Sequence, residues 1–210
     1  MQVSATVLKD SPLILNIKQS KFFLLSAFLL TLGMLGGALS IKFLSGGTLA
    51  FVNDCFKEYL SYRSESGFFK IFLSSFCYGL IYIIFIAVSS FGISGFAVTP
   101  FLLILRGFGT CAVAGLLYRN YSLQGIAFAN LILLPSCIVT HFIIVYLANE
   151  GLTLTAKFYG ILKDVSFKGI EIRPSCVRLL RSLLISIIAL AVACVIEAVF
   201  SAGFIKYFEF

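Results

Sequence analysis

Charge is scarce in this sequence. Only 12% of its 210 residues are Asp, Glu, Lys or Arg, and it holds one histidine and no tryptophan. A soluble domain carries about 25% charged and roughly 45–50% apolar residues. At 60% hydrophobic and a mean hydropathy of +1.05, this chain lacks the polar surface such a domain needs. Catalytic motifs are missing as well. There is no GxxxxGK[ST], HExxH or GxSxG, and no serine–lysine pair in an obvious setting. Ser136 and His141 are five apart on one expected helix and diverge around its axis, so they do not make a nucleophile–base pair. The expectation is a protein without enzymatic activity. Cysteines at 55, 77, 111, 137, 176 and 194 form no CxxC and read as small buried hydrophobes, and His141 has no neighbouring ligand. No metal and no cofactor is therefore expected. The 16 basic residues exceed the 9 acidic ones, but they flank apolar runs instead of forming a patch, so nucleic acid is not an expected partner. Residues 1–20 lack the continuous apolar core of a cleavable signal peptide. The lack of tryptophan excludes little, because Phe and Tyr anchor helices at an interface equally well.

What the sequence has is long apolar runs. No acidic or basic residue lies between Arg106 and Arg119, or between Arg119 and Glu150. About 20 apolar residues cross a bilayer core of about 30 Å as a helix. Five such spans are expected, at about 21–43, 70–91, 96–118, 125–148 and 179–203, forming one all-α membrane domain over 1–210. Helix is the expected state because the runs are too long for strands and do not alternate with period two. Basic residues concentrate on the cytoplasmic side of membrane proteins. An inside N-terminus and outside C-terminus put Lys9, Lys18, Lys21, Lys157, Lys163, Lys168, Arg173, Arg178 and Arg181 inside. Lys42, Lys57, Arg63, Lys70, Arg119 and Lys206 are then outside, the smaller set. This orientation is the expected one, in a bacterial cell membrane. The short uncharged "SSFGISG" forces spans two and three into a tight hairpin, and Pro135 in "LILLPSCIV" should kink or open span four. In "FVNDCFKEYLSYR", Val52, Cys55, Phe56, Tyr59 and Leu60 recur at helical spacing opposite Asp54, Lys57 and Glu58. That pattern predicts a short amphipathic helix at the outer interface or an ordinary solvated one. On the inner side, Phe158, Ile161 and Leu162 are expected to dip into headgroups while Lys157 and Lys163 meet anionic lipid.

Two sets of residues inside the spans stand out. Gly33 and Gly37 make a GxxxG in span one, and Gly107, Cys111 and Gly115 line one face of span three. Such faces let helix backbones approach closely, either within the chain or in a homo-oligomer. The second set is polar: Arg106, Asn130, His141 and Glu197. A charge at the bilayer centre costs about 2.5–3.5 kcal/mol on insertion scales, so it faces the bundle or water. At about 1.5 Å rise per residue, Glu197 and Asn130 lie about 9–10 Å outward of centre and Arg106 about 1–2 Å inward. Arg106 is expected to bond carbonyls freed near Pro135, or Glu197, or both, as a structural clamp in preference to an ion pathway.

The residue patterns resemble the stage II sporulation protein M family. The resemblance lies in the order of spans, "LGMLGGAL", "FGISGFAVTPFLLILRGFGTCAVAGLL", "GIAFANLILLP" and "VIEAVFSAGF", over most of residues 21–205. The family's third span has a basic residue followed by glycine and phenylalanine, which Arg106, Gly107 and Phe108 match. Its last span has a glutamate, then alanine and an aromatic or aliphatic run, which Glu197, Ala198 and Phe200 fit. The family tends to place a proline soon after that glutamate, where this chain has "SAGF". The resemblance implies a non-enzymatic scaffold in the mother-cell membrane of a spore former. It would position two peptidoglycan hydrolases, sporulation proteins D and P, for septal thinning and engulfment. A permease subunit of a small transporter, with a separate ATPase on the basic inner loop, is the alternative.

Overall fold

The computed structural model describes residues 21–43, 46–163 and 172–204. The expectations for Lys9, Lys18, Lys168, Lys206 and the side chain of Lys163 lie outside what is described. Every regular element among the described residues is helical. We label them α1 (Lys21–Phe43), α2 (Gly46–Glu65), α3 (Phe68–Ser89), α4 (Gly95–Phe128), a π-helical turn Ala129–Leu133, α5 (Leu134–Lys163) and α6 (Arg173–Phe204). Among the described residues four stretches are long and apolar enough to cross a membrane: Lys21–Phe43, Phe68–Ser89, Gly95–Leu162 and Arg173–Phe204.

The third of these spans 68 residues and is not one rod. Ser122 sits at φ 46°, ψ −122°, a left-handed conformation that interrupts α4. Beyond it the chain doubles back. Gly125 lies against the Leu117 carbonyl, Thr110 Oγ1 is 3.2 Å from His141 Nε2, and Gly95 lies against Thr155. Partner numbers that close on Ser122 are those of an antiparallel helical hairpin. Its far end is tied to the α3–α4 turn, where Thr155 Oγ1 donates to the Ser90 carbonyl at 3.2 Å. In the returning arm the π turn ends at Leu133, two residues before Pro135. A proline ring in a helix clashes with the carbonyl four residues earlier, here Leu131, and the wider π turn makes room for it.

The returning arm runs on to Lys163 instead of ending near 148. No proline follows Pro135 within it, and Asn149, Glu150, Leu152, Leu154 and Thr155 are all buried. The expected inner loop is thus largely helix. Phe158 packs on the core cluster instead of dipping outward, and Lys157 Nζ donates to Ser175 Oγ at 2.5 Å, pinning α5 to the start of α6.

Helix α5 sits centrally, packed against α1, α3, α4 and α6. The closest pairing is α1 with α4, and glycine makes it close. A Cβ at Gly33 or Gly37 would overlap the carbonyl of Ile104 or Phe108, and one at Gly107 would overlap that of Leu30. Gly115 meets the Ile41 side chain, and Cys111 between them is half-buried. Residue numbers rise together along this seam, so α1 and α4 run parallel. Arg119 closes its end by donating to the Ile41 carbonyl at 2.7 Å, satisfying an acceptor in the last turn of α1. The outward faces are apolar: Leu24, Phe28, Leu35, Phe85, Val88, Phe101, Ile138, Leu184 and Ile188 are all exposed. Serines, by contrast, are buried along α6 at 175, 182, 186 and 201. A single exposed leucine means little, but whole helix faces of them with serine inside invert the pattern of a soluble bundle.

Candidate functional site

A cavity of about 540 Å³ lies between α2 and the helices α3 to α6. Helix α2 closes one side. Its residues Phe56 and Leu60 are buried against Leu117, Phe128, Ala129 and Ile132 near the Ser122 turn, and Asn120 Nδ2 donates to Asn53 Oδ1 at 2.8 Å. The amphipathic pattern places Phe56 and Leu60 on the inner face, while Asp54, Lys57 and Glu58 stay exposed. The same face carries a charge. Arg63 is three residues from Leu60 and seven from Phe56, so it too points inward and is 3% exposed. It donates to the Tyr59 hydroxyl and forms an ion pair with Glu197 of α6. Burial pushes the Tyr59 hydroxyl above its ordinary range, against the downward pull of the Arg63 guanidinium.

Arg106 lines the opposite part of the cavity. Its guanidinium carbon lies 5.0 Å from the Tyr78 ring centre and 5.3 Å from that of Tyr82. Those tyrosines are one helical turn apart on α3, with hydroxyls 3.2 Å from each other. The Arg106 guanidinium forms no ion pair among the described residues, and its buried Nε has no hydrogen-bond partner. The expected partners are therefore not used. Glu197 is taken by Arg63, which reaches it from α2. Of the carbonyls before Pro135, that of Leu133 accepts from Ser136 Oγ at 3.1 Å, and Arg106 bonds to none of them. What holds Arg106 is cation–π attraction, about 0.5–1 kcal/mol at exposed sites and about 2 kcal/mol or more when desolvated.

The remaining expected residues divide. His141 is buried and bonded to Thr110, one turn along α4 from Arg106. Asn130 is exposed on the π turn and does not join Glu197. Pro135 is half-buried and shapes the backbone beside the cavity. Gly33, Gly37, Gly107 and Gly115 serve the α1–α4 seam. Sequence reasoning missed Arg63, Tyr78 and Tyr82. The signal for Arg63 was a cation on the apolar face of α2; for the tyrosines it was two hydroxyl-bearing rings four apart in an otherwise apolar span. No group of three His, Cys, Asp or Glu that would suit a metal occurs among the described residues.

These features define an all-helical protein whose long apolar helices are compatible with a multi-pass membrane protein, enclosing a cationic cavity. Compared with protein-family models, curated proteins and solved structures, the chain matches none of them.

Proposed function

We propose that the chain is a five-span membrane protein that works as a non-enzymatic scaffold, with its N-terminus inside, its C-terminus outside, and α2 as its outer platform. The observation that carries this reading is the fixing of α2. Phe56, Leu60 and the Arg63–Glu197 pair hold its inner face, so Asp54, Lys57 and Glu58 are presented outward in a set orientation. A preoriented polar face loses less freedom on docking a partner than a loose loop would. The five crossings are supported by the reversal at Ser122 and by the parallel run of α1 and α4, which odd-numbered spans require. Resemblance to the stage II sporulation protein M family points to peptidoglycan hydrolases as partners and the mother-cell membrane as the place. Photocrosslinking from position 57 or 58 in sporulating cells tests it. Recovery of a peptidoglycan hydrolase is expected; repeated recovery of none would remove the reading.

A permease subunit is the second reading, favoured by the cavity and Arg106. Reconstituted vesicles would then show solute flux that Arg106→Ala abolishes, whereas the scaffold reading expects no flux at all.

A further inference from the structure

We propose that the cavity behind α2 is a binding site for one oxyanion, phosphate or carboxylate, carried on an apolar body, with Arg106 as its counter-charge. The charge balance is the first argument. The ionic side chains lining or closing the cavity are Arg63, Glu197 and Arg106. The first two neutralise each other, which leaves one guanidinium over. A buried charge is tolerated when it is paired and hydrogen-bonded. Arg106 has two tyrosine faces and an unpartnered Nε instead. Guanidinium presents five N–H donors in a planar fork that matches a carboxylate or phosphate.

Size and lining set the rest of the ligand. Small-molecule sites run from about 300 to 1,000 Å³ with mostly apolar walls and a few placed polar groups. This cavity, at about 540 Å³, has walls of Val113, Leu116, Leu133 and Leu190, with Ser74 and Ser75 one turn from Tyr78. A bare inorganic anion would leave those apolar walls unfilled. An alkyl phosphate or carboxylate fills both parts. The site is independent of the scaffold and permease readings, because either kind of protein can hold an amphiphile.

The test uses the full chain purified in a neutral detergent, with thermal unfolding followed by tyrosine fluorescence. The probes are decyl phosphate, decanol, decyltrimethylammonium and inorganic phosphate. Decyl phosphate is expected to raise the midpoint; decanol and the cation are not. Arg106→Gln should weaken decyl phosphate by about tenfold or more, the loss of one charge-assisted hydrogen bond. Gly109→Leu is the second variant. It lines the cavity, and a Cβ there meets nothing within 4 Å, so the side chain fills the space without displacing the backbone. It should fold normally and lose the ligand, which decides the matter even where Arg106→Gln fails to fold. Lys42→Gln, exposed at the end of α1 and away from the cavity, should bind as the parent does. A shift with inorganic phosphate alone, lost in both variants, would keep the site and make its ligand a free anion. Equal shifts from decanol, no shift from any anion, or undiminished binding by Gly109→Leu would overturn the proposal.

Discussion

At the scale of single residues, two arginines divide the polar interior between them. Arg63 closes a pair with Glu197, and both side chains are largely buried, at 4% and 16% exposed. Removing one partner of such a pair leaves the other buried and uncompensated, which costs about 3–5 kcal/mol. Arg63→Ala and Glu197→Ala should each lose that much in unfolding measured in detergent. The double variant Arg63→Met/Glu197→Leu should recover most of it, because two apolar groups leave no stranded charge. The sequence marks Glu197 and Arg106 as exceptional because each interrupts an apolar run. It hides Arg63, which sits among other polar residues and looks like a topology signal. Only its register with Phe56 and Leu60 betrays an inward direction. Which cation meets Glu197 depends on how α2 lies across α6, and no local pattern contains that.

At the scale of elements, apolar run length located the helices well. The span expected at 21–43 coincides with α1, and that at 70–91 lies within two residues of α3 at each end. Helix ends without such a boundary were harder. Hydropathy falls after residue 148, but nothing there breaks a helix, so α5 continues to Lys163. The expected spans 96–118 and 125–148 put a reversal between them, and its pivot is a serine at positive φ and not the nearby glycine. Such a backbone conformation costs a non-glycine residue about 1–3 kcal/mol. Ser122→Gly should therefore stabilise the hairpin by about 1 kcal/mol, the relief being partly offset by glycine's greater freedom in the unfolded chain. A raised thermal midpoint checks this. The α1–α4 seam predicts the opposite sign for added bulk. Gly33→Ala and Gly37→Ala push a methyl into backbone and should each cost about 1–3 kcal/mol, as overpacking does. Gly46→Ala and Gly47→Ala, with nothing within 4 Å, serve as controls and should stay near parental stability. The small-residue spacing was legible; that its partner is α4 of the same chain required the fold.

At the scale of the whole molecule, the account rests on five membrane crossings built around a sheltered guanidinium. Among the described residues four stretches are long and apolar enough to cross, and the doubled-back 95–162 stretch is proposed to make two of the five crossings. Composition alone pointed to a membrane and could not place the cavity, because a cavity arises from where helices fail to touch. The most direct measurement is cysteine accessibility in intact cells, in a background with the exposed Cys55 and Cys77 replaced by alanine. Lys57→Cys and Leu123→Cys should react with an impermeant maleimide from outside. Ile93→Cys and Tyr159→Cys should react only after the membrane is permeabilised. Labelling of positions 93 and 123 from the same side would contradict the five crossings and, with them, the placement of Arg106.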